Sequence, residues 1–359
     1  MFQGNELKFV KYDVNDDEQL TFIKKHLRVF YTKEIGSWQY KNEGQHTGLF
    51  LAKNNGQYIA TQGMIPMKLI HNGKHVFSAK SETSFLLSEF RGRGVFEELY
   101  FYTISCSESD NITLIWGFTA LAKVWREKLK FDVYEKVVQE SELQLTLFKS
   151  IYSALFVTES IKAKGRALLK CFAKSRVNIK RIKPDKDYCV RELDLNNKSD
   201  LESVVSLYKS WTKNNPSLVC IDFNQAFLKW RILDNPILNY VFGGVYKNNT
   251  LLGYGIINID KRRAYLVDFI VAEKKDLEDC FGALLAFLDK QPISHLNYWA
   301  NSKNAYAKSI HTVFTDCGAD YTIKDSLSFV VKPINSTPTE RFNIDDFYFN
   351  SLWTEGFSM

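Results

Sequence analysis

The sequence predicts an α+β protein of two domains, each a mixed, mostly antiparallel sheet flanked by helices. Three observations carry that class. A chain of 359 residues is more than twice the usual domain length of roughly 150. The hydrophobic spacing of residues 1–138 switches between period 2 and period 3.6 in the order β-α-β-β-β-loop-α-β-α-β, which combines hairpin neighbours with helical crossovers. The same order begins again near Tyr188.

Taken in turn, Leu7–Tyr12 has strand character, and Asp16–Phe30 has helical spacing opened by an acidic first turn. Leu49–Lys53 and Tyr58–Pro66 flank Asn54-Asn55-Gly56, a hairpin signal. A second turn at Asn72-Gly73 leads into extended His75–Leu87. The stretch from Glu89 to Gly94 breaks the pattern, because its two glycines suit neither a strand nor the middle of a helix. Val95–Ser107 returns to helical spacing, Ile112–Gly117 reads as a buried strand, Ala120–Lys130 as a helix and Phe131–Val138 as a strand. These elements define a first domain at 1–138.

Residues 139–187 form a basic connector. Ten Lys or Arg fall between Lys162 and Lys186, yet apolar Ile151, Leu155, Phe156, Ile161, Leu168, Leu169 and Phe172 recur among them. This reads as a helix with a solvated charged face, or as a surface for anionic lipid or a phosphorylated ligand. The second domain spans 188–332. Its strands are Cys189–Leu193, Tyr240–Lys247, Leu251–Asp260, Ala264–Val271 and His295–Ala300, with Tyr321–Lys332 closing the unit. Its helices are Ser199–Thr212, Asp276–Lys290 and Lys303–Phe314, and Asn248-Asn249 is its hairpin turn. The tail, 333–359, is polar and then aromatic.

Hydrophobic residues at 45% and charged residues at 25% exclude a disordered or fibrous chain. A net charge of +6 suits an anionic ligand without demanding nucleic acid. The six cysteines are scattered with no C-x-x-C pair, which argues for reduced thiols and against a zinc site. His71 and His75 are separated by the Asn72-Gly73 turn, so they share no helix face for a metal. The first residues lack an apolar signal-peptide core and no window is long and apolar enough to span a membrane, so a soluble, cytoplasmic protein is expected.

The segment that carries chemistry is Arg91-Gly92-Arg93-Gly94-Val95-Phe96. A turn here leaves backbone N–H groups exposed at a helix N-terminus, where the dipole is positive. Glycines let a phosphate approach the main chain, and the arginines add charge, so a pyrophosphate-binding turn is expected. The dinucleotide fingerprint would need a third glycine near Glu97, and none is present.

Leu86-Leu87-Ser88-Glu89-Phe90-Arg91-Gly92-Arg93-Gly94-Val95 resembles the coenzyme motif of the GNAT N-acetyltransferase superfamily, over roughly residues 6–138. The resemblance implies acetyl-CoA as co-substrate. It places pyrophosphate on the amides of Arg91, Gly92, Arg93, Gly94, Val95 and Phe96, and pantetheine along Phe85, Leu86 and Leu87. It implies acetyl transfer to the amine of a small molecule, with an amino sugar of surface polysaccharide as one acceptor; an acyl-CoA-binding or regulatory protein on the same fold is the alternative. Three positions depart from the pattern. Phe96 replaces a small residue, Ser88 stands where a proline is common, and Arg126 stands where the family usually has its tyrosine acid, leaving Tyr134 or Tyr100 for that role. Phe227–Arg231, Asn235-Pro236 and Tyr240 resemble tandem members of the superfamily, but Ala272-Glu273-Lys274-Lys275 lacks any glycine turn. The second half is therefore expected to shape the acceptor side without binding coenzyme.

The reaction needs a base, and Glu82, on the strand entering the turn, is the candidate. Asp268, among apolar residues of a central strand, reads as structural or acceptor-binding. Trp38, Tyr40 and Glu43 are expected in a loop where the superfamily meets its acceptor. Expected partners are acetyl-CoA and an amine-bearing small molecule, with a homodimer allowed and no nucleic acid.

Overall fold

The computed structural model describes residues 7–40, 46–145, 164, 186–334 and 342–354. Most of the expected connector helix, and Glu43, lie outside these residues. The chain forms two compact units, Met1–Lys136 with Asp325–Phe342 and Val137–Lys324 with Asn343–Met359. Among the described residues no helix is long and apolar enough to cross a membrane.

In unit 1, strands β1 (Leu7–Lys11), β2 (Leu49–Asn54), β3 (Gln57–His71), β4 (Lys74–Leu86), β5 (Leu114–Thr119), β6 (Asp132–Tyr134) and β15 (Ser328–Pro333) form one sheet. Their order is β1-β2-β3-β4-β5-β15-β6. Neighbours are antiparallel except β4 and β5, which run parallel. The hairpin signals hold for a simple reason. Asn55 (φ 50°) with Gly56 (φ 83°), and Asn72 (φ 51°) with Gly73 (φ 71°), adopt the paired left-handed conformations of tight hairpin turns.

Helix α1 (Asp17–His26) is capped by Asp16, whose carboxylate accepts from the N–H groups of Glu18 and Gln19 at 2.9 and 3.1 Å. It ends on Lys24 and Lys25, cations at the negative end of the helix dipole. The chain then forms a second helix, α2 (Lys33–Gln39), capped by Thr32. The expected loop around Trp38 is therefore helical; seven residues are too few to print a clear period on the sequence. Phe50, Ala52 and Ile59 pack toward Val95 and Leu99 of α3 (Val95–Ser109), whereas Leu51 and Tyr58 pack toward Phe22 of α1. The sheet thus carries α3 on one face and α1 on the other.

Unit 2 contains β7 (Val138–Gln144), β8 (Tyr188–Glu192), α5 (Lys198–Asn214), β9 (Cys220–Ile221), α6 (Gln225–Leu228), β10 (Tyr240–Lys247), β11 (Thr250–Asp260), β12 (Arg263–Val271), α7 (Leu277–Leu288), β13 (His295–Asn301), α8 (Ala305–Asp316) and β14 (Asp320–Ile323). Its sheet order is β14-β7-β13-β12-β11-β10-β8, with β12 and β13 parallel. Two expectations are corrected here. The segment Tyr321–Lys332, expected to close the second domain, holds two strands, and the later one, β15, belongs to the sheet of unit 1. The start of the expected connector is instead β7, paired with β13 and β14. Which sheet a strand joins depends on partners distant in sequence, so its local pattern fits either.

Parallel pairing of β12 with β13 covers only Arg263–Leu266 and His295–Tyr298. Beyond it, the C-terminal segment 347–350 joins the two strands. Asn301 of β13 donates its backbone N–H to Phe349 O at 3.1 Å and its side chain to Phe347 O at 2.7 Å. On β12, Asp268 accepts from the Tyr348 hydroxyl at 2.8 Å and from the Asn350 amide at 2.7 Å. Asp268 is only 1% exposed, and it anchors this segment from inside the core.

Burial pushes the Asp268 carboxyl up to about 6, although these donors favour its charged form. The folded state therefore holds this proton more tightly than the unfolded chain, where an aspartic acid titrates near ~3.9. The stabilising contribution is complete below about pH 4 and is lost as pH rises through about 6, a change of ~3 kcal/mol. Urea unfolding of wild type and Asp268→Asn between pH 4 and 7.5 should show this decline in the wild type only. Parallel curves would assign the pH dependence elsewhere.

Candidate functional site

In unit 1 the parallel ladder also stops early. Ser78–Ser81 of β4 pair with Leu114–Gly117 of β5, but β4 continues to Leu86 and β5 to Thr119 without pairing to each other. A bulge lies just past the last pair. Glu82 faces Gly63 and Phe85 faces Thr61, so Thr83 and Ser84 together oppose Gln62. Thr83 has φ +54°, a conformation that β-branched residues rarely adopt. It is held from three sides. Thr61 Oγ1 donates to Thr83 O at 2.7 Å, and the Tyr40 and Thr83 hydroxyls bond at 2.7 Å. The buried Gln62 amide donates to Gly63 O and Ser81 Oγ and accepts from Ser84 Oγ.

The expected phosphate turn follows directly. One 3₁₀ turn (Ser88–Phe90) leads to Arg91, and then Gly92 (φ 73°) and Gly94 (φ 83°) turn the chain into α3. Gly94 is the N-cap residue and supplies no side-chain acceptor, so the first N–H groups of a 15-residue helix keep their donors. A Cβ built at either glycine would meet nothing within 4 Å. This is open space beside a positive helix end, flanked by exposed Arg91 and Arg93. Arg91 Nε donates to Leu86 O at 3.3 Å, tying the turn back to β4.

The remaining residues of the expected coenzyme site contribute backbone more than side chain. Val95 is part of the core with Leu99, and Leu86 and Leu87 pack against that cluster. The Phe96 ring lies against Tyr100 at 5.8 Å. The Phe85 ring meets Phe22 and His26 at 6.1 and 5.4 Å. What Phe85–Leu87 can offer a ligand is the strand edge that β5 leaves unpaired.

Glu82 is the first residue beyond the ladder. Its carboxylate is buried and paired with the buried ammonium of Lys80. Tyr134 is not brought to the gap: it lies on β6 opposite Phe329 of β15, and β15 separates it from β5. That places it about two strand spacings, roughly 10 Å, from β5. Arg126 is also removed from the site, in an exposed ion pair with Glu135 at 2.8 Å. Tyr100 on α3 lies nearer to the gap, sharing a core cluster with Ala79 of β4 and Ile115 of β5 beneath their ladder. It is fully buried, and its hydroxyl has no hydrogen-bond partner among the described residues. Burial raises its pKa well above the usual tyrosine range, with only the Ser81 hydroxyl, at the last ladder pair, opposing that shift. Its place in the hydrophobic pattern of α3 marks it as a core residue, so the sequence alone pointed to packing.

On the opposite face of the sheet, Trp38 is buried within α2, and the Tyr40 hydroxyl reaches the bulge. In unit 2 the counterpart of the glycine turn is built differently. Glu273 pairs with Lys275, Asp276 ends a 3₁₀ turn at the N-cap position of α7 and accepts from the Tyr188 hydroxyl at 3.0 Å, and no residue there has positive φ. The parted strands themselves are joined by residues 347–350, as described above.

No protein-family model and no curated protein matches the chain. Solved structures do. A conserved protein of unknown function from Enterococcus faecalis, described as a probable N-acyltransferase, superposes with TM-score 0.61 at 10% identity, over 93% of this chain and 73% of that one. A GCN5-related N-acetyltransferase from Anabaena variabilis gives TM-score 0.60 at 14% identity, over 92% and 73%. Saccharomyces cerevisiae N-myristoyltransferase with bound myristoyl-CoA gives TM-score 0.57 at 14% identity, over 95% and 88%.

The Lys80–Glu82 pair generates a stability prediction. Glu82→Gln leaves a buried ammonium without its counter-charge and should cost about 3–5 kcal/mol in urea unfolding. Adding Lys80→Met to Glu82→Gln should recover most of that loss. A single variant as stable as the wild type would show that the two groups are solvated rather than paired.

Proposed function

We propose that this chain, which has the fold of the GCN5-related N-acetyltransferases, moves an acyl group from acyl-CoA to the amine of a small molecule. The observation that carries the reading is the continuity of the parted β4–β5 pair with the Gly92/Gly94 turn that opens α3. A pyrophosphate on the α3 N-terminus would let the pantetheine arm run along the unpaired edge of β4 toward the bulge. Acetyl-CoA is the donor we favour, and an amino sugar is one acceptor class. A cytoplasmic site follows from the donor, since CoA thioesters are held inside cells.

The chemistry is a direct transfer. The acceptor nitrogen attacks the thioester carbonyl, the tetrahedral adduct collapses, and the C–S bond breaks to release CoA. Glu82 takes the proton that the acceptor ammonium must lose. Tyr100, kept protonated by burial, supplies one to the departing thiolate. The bulge supports this assignment, because a strand residue that opposes no ladder partner is suited to present a backbone N–H to the developing oxyanion. An acyl-enzyme is not needed. Cys106 lies on α3 about 16 Å beyond its first residue by helical rise, and burial raises its thiol. One coenzyme per chain is expected, because among the described residues only unit 1 pairs a glycine-opened helix with parted strands.

Calorimetry with acetyl-CoA tests the site. Gly94→Asp is the informative variant, since aspartate tolerates positive φ better than most residues and would put a carboxylate in the open space beside the helix end. Wild type should bind one coenzyme, and the variant should bind at least ~10-fold more weakly. Equal affinities, or two coenzymes per chain, would overturn the assignment.

Tyr100→Phe tests the acid. The Ser81 hydroxyl is the group that acts on Tyr100, so unfolding should change by ~1 kcal/mol at most, while kcat for thiol release falls by ~100-fold with little change in KM for acetyl-CoA. A wild-type kcat would remove Tyr100 from the chemistry.

A further inference from the structure

We infer that the acceptor is a hydroxylated amine, and that Tyr12, Tyr31 and Gln39 bind its hydroxyl groups on the α1/α2 face of the unit 1 sheet. The inference rests on the acyl-transfer reading above and adds the acceptor's chemistry to it.

Contacts bring these residues together. The Tyr12 and Tyr31 rings meet edge-on, with centroids 6.4 Å apart. The Tyr12 hydroxyl lies over Gly36 of α2, where an added Cβ would stand 2.8 Å from it. Gln39 and Tyr40 follow Gly36 by three and four residues, which puts them along one side of the helix end. The Tyr40 hydroxyl lies over Gly63 so closely that no side chain could replace that glycine, and it bonds Thr83 at 2.7 Å. Gly63 is the cross-strand partner of Glu82, and opposed residues project to the same face of a sheet. The cluster therefore runs along α2 from Tyr12 toward the carboxylate assigned the acceptor's proton.

What the cluster lacks identifies the ligand. Tyr31 and Gln39 are each 1% exposed. The Tyr12 and Tyr31 hydroxyls and both amide atoms of Gln39 have no hydrogen-bond partner among the described residues. Buried polar groups are nearly always paired, so four unpaired atoms in one place point to groups supplied from outside the chain.

Gln39 decides the chemistry of those groups. Its Nε2 only donates and its Oε1 only accepts. A carboxylate would leave Oε1 unmet, and an ammonium would leave Nε2 unmet. A hydroxyl both donates and accepts, and so meets either atom. The two phenols have the same double capacity, since burial raises the pKa of Tyr31 and pushes Tyr12 up to about 12. Four atoms on three side chains call for several such groups, which neighbouring hydroxyls supply and a lone carboxamide does not. Charges of both signs act on the cluster, Asp13 and Asp16 on Tyr12 and Arg28 on Tyr31, so the surroundings select no ion. Gly36 and Tyr40 are one turn apart, about 6 Å along the axis, a span that one monosaccharide or a short polyol covers. Entry is by way of the connection between α1 and α2, where Val29 is 86% and Phe30 48% exposed. A segment so thinly packed at its tip lifts from the sheet at small cost.

Calorimetry on the full chain, with free CoA present so that no transfer occurs, decides the matter. The probes are glucosamine, galactosamine, glucamine and serinol, with cyclohexylamine, glycine and glycinamide as controls. At least one hydroxylated amine should bind, ~10-fold or more tightly than every control. Tyr31→Phe and Gln39→Met should each weaken it by ~10-fold while leaving acetyl-CoA affinity unchanged. The deleted groups bond nothing among the described residues, so both variants should unfold at the urea concentration of the wild type or a higher one. A control binding as tightly as the best hydroxylated amine, no hydroxylated amine binding, or wild-type affinity in both variants would overturn the inference. In the last case, lowered urea midpoints would assign the groups to internal water. Acetyl-CoA titrated alone separates the two readings. Amine binding without coenzyme binding sinks acyl transfer, and coenzyme binding without amine binding sinks the hydroxyl site alone.

Discussion

The bulge at Thr83 turns β4 away from β5 immediately after their four-residue parallel ladder, and the rest of unit 1 is arranged around that departure. Parallel strands do not part without cause, since every broken rung leaves backbone donors and acceptors to be satisfied elsewhere. Here the cost is met by side chains: Gln62 threads its amide into the bulge, and Thr61 and Tyr40 clamp Thr83 in a conformation it would not choose. The bulge also resets the alternation of β4, so that Ser81 and Phe85, four apart, project to opposite faces. One irregularity thereby separates the α3 face, with Tyr100 and the glycine turn, from the α1/α2 face, with Glu82 and the tyrosines.

Unit 2 repeats the geometry and resolves it differently. Its parallel pair also parts beyond a bulge, where Ile256 faces Asp268 and Ile257 faces Leu266. There the chain's own residues 347–350 take up the backbone groups of β13, and Asp268 receives the tail's side chains. Burying that carboxylate is expensive, as its raised pKa shows, so the closure of unit 2 is maintained against a real electrostatic cost. In unit 1 the helix after the gap begins on glycine with open space around it, whereas in unit 2 it begins among acidic side chains. The same parted pair is thus a binding edge in the first reading and a seat for the tail in the second.

The two faces of unit 1 also differ in how they treat polarity. The polar groups buried on the α3 face are mostly bonded within the fold, as Gln62, Ser81, Thr103 and Ser107 are, and Tyr100 sits among aromatic and aliphatic side chains with the Ser81 hydroxyl beside it. The α1/α2 face holds a buried ion pair and several hydroxyls and amides whose bonding the fold does not complete. Such groups destabilise a fold unless a ligand engages them, which is the usual signature of residues kept for function at the expense of stability.

Local chemistry made much of this legible from residues alone. Asn-Gly and Asn-Asn pairs dictated the hairpins because few other residues accept left-handed backbone, and Gly92 with Gly94 marked the turn into α3 for the same reason. The absence of glycine after Val271 likewise separated the two units. Tertiary structure decided what depends on partners far apart in the chain. β15 and β7 carry ordinary strand patterns, and only the assembled sheets determine which one each completes. Tyr134 and Tyr100 were equivalent as tyrosines near the motif; the insertion of β15 beside β5 removed the first, and the pitch of α3 delivered the second to Ser81. Tyr12 and Tyr31 carry no motif at all. Their rings meet, with centroids 6.4 Å apart, because the chain on either side of α1 folds back on itself, and proximity in space, unlike backbone preference, leaves no mark on sequence spacing.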